Sequence, residues 1–412
     1  MTSRTDHTNR FVCLVSCRRL VALFIICSCL SEVAQGSPSV SSLEESLPVD
    51  AVVQTITPPI SPLWFKPIPP DNVVWERSIS HSGATAFIAL HINVDMIVPG
   101  QTPGWEIEIR EDNGSNGKAV AVYNSKELRS FGSKFSFWSP DVPGNKAKII
   151  VRATNSPPPL SLTVDLYATE QIPIPVKSIV DPSNSHILDI TAVKSVAKYY
   201  SRATGIAKVS AYHGQNRKPC TGFLIRDNIA ITNEHCIPAE IENGNKCPEI
   251  HLIFAYESDR TDSEVVYCRR LVKKSYPLDY AILELAGMPG KKHGSLSIEG
   301  MLTPQKGEKL FIIQHPGGQY KKIAIQECSA GIIEVAGRSL KKGSQSPYKI
   351  KQDFEHRCDT EGGSSGAPIF NEAGSVVGIH HYGFGTSSYR WNQGVLGPLL
   401  WDEIATALPI KE

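Results

Sequence analysis

Hydrophobic and polar positions alternate in short runs along much of the chain. Between residues 71 and 170 the clearest runs are Ala86–Ile92, Trp105–Arg110, Ala119–Tyr123, Lys148–Arg152 and Leu160–Val164. Their two-residue spacing is that of strands with one buried face. Asp112-Asn113-Gly114 and Val142-Pro143-Gly144-Asn145 separate them with turn-forming residues. Regular short strands so punctuated predict an antiparallel β-sandwich over 71–170. Residues 203–412 hold many further short apolar runs, as two six-stranded antiparallel barrels require, one from Cys220 to about Leu285 and one from about Lys309 to Leu396. Leu400, Ile404 and Leu408 recur every four residues and predict a C-terminal helix with one apolar face. The fold class expected is all-β: a double six-stranded antiparallel β-barrel domain with a C-terminal helix, preceded by a smaller β-sandwich domain.

The stretches outside these patterns have their own character. In residues 1–36, Arg10, Arg18 and Arg19 precede the apolar run Leu20–Leu30, and Ala34-Gln35-Gly36 offers a small-x-small cleavage site. That is the form of a secretory signal, and the run is short for a spanning helix. Residues 37–70 are rich in Ser and Pro and read as a linker or propeptide, and 171–202 as a second linker. A chain of 412 residues with 41% hydrophobic and 20% charged content suits two soluble globular domains. A formal net charge of +1 gives no reason to expect nucleic acid or an anionic membrane as a partner.

Four of the ten cysteines fall within the signal segment, leaving Cys220, Cys236, Cys247, Cys268, Cys328 and Cys358. An even set in an exported chain reads as disulfides. No CxxC or HExxH spacing and no nucleotide-binding glycine loop is present, so no metal and no cofactor is expected. The acidic stretch Glu257–Glu264 reads as a solvated loop in preference to a calcium site.

Three local contexts carry chemistry. Gly362-Gly363-Ser364-Ser365-Gly366-Ala367-Pro368 sets a hydroxyl between glycines ahead of an apolar run. Glycines on both sides of Ser365 let a turn aim its backbone N–H groups at one point, which suits a nucleophile beside an oxyanion hole. His235 ends the second of two apolar runs around Arg226-Asp227-Asn228, and histidine is the side chain whose unperturbed pKa lies near working pH, as a general base needs. Asp279 stands inside the apolar stretch Leu278–Leu285, where a carboxylate is costly to bury unless it orients a partner. The order His…Asp…Ser, each in its own context, points to a nucleophilic triad.

At these residues the sequence resembles the chymotrypsin-fold serine endopeptidases, particularly the glutamyl-endopeptidase and bacterial trypsin-like branch. The resemblance covers about residues 203–412 and rests on Thr232-Asn233-Glu234-His235-Cys236, Leu278-Asp279-Tyr280-Ala281-Ile282-Leu283 and Glu361–Phe370. It implies His235 as general base, Asp279 as orienting acid and Ser365 as nucleophile, with the amides of Gly363 and Ser365 forming the oxyanion hole. Asn233-Glu234 replaces two alanines of the usual motif, a departure expected to affect strand packing and not the chemistry. The resemblance supports a Cys220–Cys236 disulfide; proximity in sequence then suggests Cys247–Cys268 and leaves Cys328–Cys358.

It also implies a substrate pocket walled by Ser375–Gly383, in which His380 and Thr360 would receive a substrate carboxylate. Asp359, at the position where trypsins bind Lys or Arg, points the other way, and Glu/Asp is preferred to Lys/Arg on the two residues suited to an anion. His315 in Gln314–Gly318 reads as structural. The implied protein is a secreted, monomeric serine peptidase made as a zymogen and acting on proteins or peptides; Arg202–Ala203 is a candidate maturation site, although no trypsin-style activation sequence stands there. A non-catalytic homologue that binds through the β-sandwich is the alternative of another class. An esterase is disfavoured because Gly363-Ser364-Ser365-Gly366 runs into a strand and not a helix.

Overall fold

Alternation in the N-terminal half produces two facing sheets. The computed structural model describes residues 49–63, 68–96, 104–114, 117–153, 160–171, 177–178, 185–258, 262–335, 337, 351–383 and 391–408. The expected signal segment lies outside them. The strands are β1 (Ala51–Ile60), β2 (Val73–Ser80), β3 (Phe87–Met96), β4 (Trp105–Glu111), β5 (Ala119–Asn124), β6 (Lys134–Trp138), β7 (Val142–Pro143), β8 (Lys146–Ala153) and β9 (Leu160–Glu170), with the short helix α1 (Ser125–Arg129) after β5. One sheet runs β1-β9-β3-β6 with β7 beside β3, and the other β2-β8-β4-β5. Ile88, Leu90, Ile92 and Val94 of β3, Ile107 and Ile109 of β4, and Ile149 and Val151 of β8 pack between them, all inward by the period of two.

β1 corrects the expectation of a linker over 37–70. It pairs antiparallel with β9 from Ala51↔Glu170 to Thr55↔Leu166, and the register breaks between Thr55 and Ile60. Pro58-Pro59 falls within that break, so the missing amides coincide with lost ladder bonds and the strand survives. Part of 171–202 is likewise ordered, as β10 (Lys177–Ser178), β11 (Ile187–Asp189) and helix α2 (Ala197–Ala203).

The next six strands are β12 (Ile206–His213), β13 (Asn216–Arg226), β14 (Ile229–Thr232), β15 (His251–Phe254), β16 (Glu264–Ser275) and β17 (Tyr280–Leu285). They pair in the order β12-β15-β16-β17-β14-β13 and close through β12–β13. A one-turn helix, α3 (Gly290–His293), follows. The second barrel comprises β18 (Leu310–Gln314), β19 (Lys322–Ala324), β20 (Ala330–Val335), β21 (Asp353–His356), β23 (Pro368–Asn371), β24 (Val376–Tyr382) and β25 (Asn392–Leu396), while β22 (Thr360–Glu361) pairs with β10. Its sheet, β11-β19-β18-β23-β24-β25-β21-β20, is a half-barrel, and the isolated bridge Lys309↔Ser329 joins the residues just before β18 and β20. The expected C-terminal helix is α4 (Gly397–Ala407), burying Leu400 and Ile404 against this barrel.

The sandwich and the first barrel share a sheet, because β1 also pairs with β13 at Ala51↔Arg217 and Val52↔Asn216. Arg217 is wholly buried there, and its Nε donates to Asp50 Oδ1 at 2.8 Å. Lys208 Nζ donates to Asp50 Oδ2 at 2.9 Å, and Arg217 also reaches Asp141 Oδ2 at 3.2 Å. Trp138 of the sandwich stacks on Tyr212 of β12 with ring centroids 3.9 Å apart.

Replacing Asp50 by alanine strands the buried Lys208 ammonium and leaves Arg217 with Asp141 alone, and is expected to cost about 3–5 kcal/mol in urea unfolding. Burial opposes ionisation of Asp50, but Arg217 and Lys208 outweigh it and hold the pKa below its ordinary 3.8. A carboxyl depressed on folding contributes stability above its unfolded pKa and loses it as pH falls through the folded value. Acid unfolding below about pH 4 should therefore be less steep in Asp50→Asn than in wild type, and equal slopes would contradict the pairing.

Candidate active site

β14 ends at Thr232, and one 3-10 turn, Glu234–Cys236, carries His235 out of the barrel wall. The turn is fixed from behind by the Cys220–Cys236 disulfide to β13. Cys247–Cys268 and Cys328–Cys358 are also formed, matching the expected pairings. Asp279 lies in the turn between β16 and β17 at φ +43°, a left-handed conformation that Asp tolerates better than most side chains. Asn233 Nδ2 donates to the carbonyl oxygen of Asp279 at 2.7 Å. The departure at Asn233 therefore does more than pack a strand, since it holds the turn that presents the acid.

The carboxylate of Asp279 has no exposed surface. Its Oδ1 accepts from the backbone N–H of His235 at 3.1 Å, and its Oδ2 lies 2.8 Å from His235 Nδ1. An ionised carboxylate only accepts, so Nδ1 carries the ring proton and Nε2 of the neutral imidazole is left as a base. Nε2 is buried and finds no hydrogen-bond partner among the described residues. Free enzymes often hold catalytic hydrogen bonds long until substrate binds.

Ser365 is 1% exposed. Its carbonyl accepts from Thr221 N of β13 at 2.8 Å and stands 4.0 Å from Cys236 Sγ, which sets the serine turn against the residue next to His235. The neighbouring Ser364 hydroxyl accepts from Glu361 N at 3.1 Å and closes the turn, which distinguishes the two serines. The Gly362 carbonyl accepts from Gly317 N at 2.6 Å. Across a trans peptide the N–H points opposite to the C=O, so this bond directs the Gly363 amide away from Gly317. Gly363 adopts φ +95°, and a Cβ there would lie 2.8 Å from His315 O. Thr221 Oγ1 ties the two loops, donating to Gly363 O and accepting from His315 N, both at 2.9 Å. His315 is structural as expected: its ring is buried with Nδ1 3.0 Å from Gln319 O, and burial drives its pKa far below the ordinary value.

The three expected pocket residues divide. His380 is fully buried, with Nδ1 3.1 Å from His356 Nε2. Burial, reinforced by neighbouring histidines, keeps both rings neutral, His356 at about 3 and His380 well below its ordinary value. Among the described residues, His380 Nε2 and Thr360 Oγ1 are buried polar atoms without a partner at hydrogen-bonding geometry, although the Gln393 backbone lies near the His380 ring. Asp359 is turned elsewhere, its Oδ2 accepting from His186 N at 2.9 Å with the His186 ring 3.7 Å away.

Sequence reasoning missed His381 and Asp353. His381 Nδ1 lies 3.2 Å from Asp279 Oδ2, and its Nε2 lies 2.8 Å from Asp353 Oδ2. The Arg202–Ala203 bond, singled out for maturation, lies in α2 with Ala203 fully buried and its carbonyl accepting from Lys321 Nζ at 2.7 Å. Glu257 of the acidic stretch is engaged by Tyr200 Oη at 2.7 Å and Lys321 at 3.5 Å. Cys220, Cys236 and His235 cluster within metal-ligand distance, but their sulfurs are joined in the disulfide and offer no thiolate.

Residues 220–379 match the family described as trypsin-like peptidase domain. Among curated proteins, a secreted RxLR effector protein of Plasmopara viticola is 30% identical over 175 residues, covering 40% of this chain and 41% of that protein. A probable periplasmic serine endoprotease, DegP-like, of Pseudomonas savastanoi is 29% identical over 163 residues, 39% of this chain and 28% of the relative. The chain thus spans well under half the length of either. Of solved structures, a serine endoprotease from Yersinia pestis superposes with a TM-score of 0.38 at 16% identity, covering 50% of this chain and 63% of that one.

The glycine after the serine is as constrained as the one before it. A Cβ on Gly366 would meet Thr221 O at 2.2 Å, and its φ is +85°. Gly366→Ala is expected to cost roughly 2 kcal/mol or more in thermal unfolding. A neutral substitution would mean that the turn is not packed on β13 as described.

Proposed function

We propose that this protein is an exported serine endopeptidase that cleaves after Glu or Asp. Ser365 Oγ attacks the scissile carbonyl while His235 Nε2 takes its proton, and Asp279 steadies the imidazolium that forms. The amides of Gly363 and Ser365 hold the developing oxyanion. The protonated His235 then returns the proton to the leaving amine, and a water molecule, deprotonated by the same ring, releases the acyl group. The single observation that carries this reading is the 2.8 Å contact of His235 Nδ1 with buried Asp279, which leaves Nε2 as the basic nitrogen.

The preference for an acidic residue is supported by two buried atoms, Thr360 Oγ1 and His380 Nε2, that have no partner at hydrogen-bonding geometry among the described residues. If His356 Nε2–H donates to His380 Nδ1, then His380 Nε2 carries a hydrogen and donates outward, as a carboxylate needs. The engagement of Asp359 by His186 removes the free acid that a Lys/Arg pocket requires. Three disulfides fit an oxidising compartment, and the relatives named above include a secreted and a periplasmic protein. That His235 Nε2 has no hydrogen-bond partner among the described residues is the one observation favouring a non-catalytic binding protein on the same fold.

Two experiments separate these readings. A fluorophosphonate probe should label the wild-type chain, with labelling falling at least about 100-fold in Ser365→Ala and in His235→Ala. A folded, fully processed wild-type protein that stays unlabelled would support the binding-protein reading. In a peptide library, cuts should follow Glu or Asp, and His380→Leu should lower kcat/KM for the Glu peptide by about 100-fold or more. Cuts after Lys or Arg would refute the assigned preference.

A further inference from the structure

The catalytic aspartate has a second imidazole partner. His381, on β24 of the second barrel, reaches across to Asp279 in the β16–β17 turn of the first, and on its other side to Asp353 on β21. All three side chains are fully buried. Asp279 Oδ2 is therefore shared by two rings, His235 at 2.8 Å and His381 at 3.2 Å.

Each nitrogen of His381 faces a carboxylate oxygen. A neutral imidazole donates from one nitrogen only, whereas an imidazolium donates from both. Resting on the peptidase reading above, the geometry points to His381 as a positioning residue that is cationic at neutral pH: it donates to both carboxylates and fixes the charge that Asp279 presents to His235. Two carboxylates and one imidazolium leave one net negative charge in the buried cluster, the same as a lone aspartate would carry. Without the cation, His235 would face two negative charges in place of one net charge.

The surroundings agree. Burial opposes charge on His381, but Asp353 and Asp279 override it and raise its pKa to about 9. The other titratable groups facing it are His356 and His380, which burial keeps neutral, the adjacent Tyr382 ring at 4.4 Å, and His235 across Asp279. The remaining oxygen of Asp353, Oδ1, is buried without a hydrogen-bond partner, so His381 is the side chain that compensates this acid among the described residues.

The test compares His381→Asn with the double variant His381→Asn/Asp353→Asn. His381→Asn keeps an amide donor but removes the positive charge, so His235 becomes more basic. The acidic limb of the kcat/KM–pH profile should move up by about one pH unit, with kcat at neutral pH down roughly tenfold. Removing the Asp353 charge as well should return the limb to within a few tenths of a unit of wild type, which a purely structural role for His381 does not predict. Nitrogen NMR of the histidine-labelled chain at pH 7 should show one ring protonated at both nitrogens and absent in His381→Asn.

An active enzyme whose limb does not move, or whose His381 is neutral by NMR, overturns the inference and leaves the peptidase reading intact. A folded wild-type chain with no hydrolytic activity overturns the peptidase reading and the inference with it, whatever the NMR shows.

Discussion

The constraint on which the site depends is the burial of the Asp279 carboxylate. A lone charge removed from water is too costly to persist, and it is tolerated only where hydrogen bonds and opposite charge surround it. Here one oxygen takes a backbone amide and the other is shared between two imidazoles. These donors come from two pieces of chain: the turn after β14 supplies the amide and ring of His235, and β24 supplies His381. Satisfying one acid therefore fixes the two barrels against each other and sets the tautomer of His235.

β13 is the beam that connects this acid to everything else. Within a few residues it carries Arg217, which pairs with Asp50 and Asp141 of the N-terminal module, Cys220, which clasps the His235 turn, and Thr221, which ties both the serine turn and the His315 turn. Asp50 itself approaches the same region, because a Cβ on Gly318 would lie 3.1 Å from Asp50 Oδ2. The β-sandwich is thus packed into the scaffold that supports the serine turn, and is more than a body tethered by a linker.

Much of this was legible in the sequence because the signals were local. Strand alternation, the four-residue spacing of Leu400 and Ile404, and the glycines around Ser365 each follow from side-chain periodicity or backbone freedom within a few residues. What was missed depends on contacts distant in sequence. Pro58 and Pro59 suggested a linker, and only the register break opposite β9 shows how β1 accommodates them. Asp359 looked like a substrate acceptor until His186, far upstream, was seen to occupy it. His381 was passed over beside His380 because its two acids, Asp279 and Asp353, come from other strands and turns. Buried polar groups choose partners by fold, so residue type alone does not reveal which histidine is catalytic, structural or charged.

The central claim is that a hydroxyl, an imidazole and a buried carboxylate act together at one bond. The most direct measurement is a crystal structure of the chain treated with a peptide boronic acid carrying Glu next to the boron. The account predicts a tetrahedral adduct on Ser365 Oγ, one boronate oxygen within hydrogen-bond distance of the Gly363 and Ser365 amides, and His235 Nε2 turned to the adduct with Nδ1 still on Asp279. An adduct on another residue, or a bound inhibitor with Ser365 unmodified and His235 drawn away from Asp279, would contradict it.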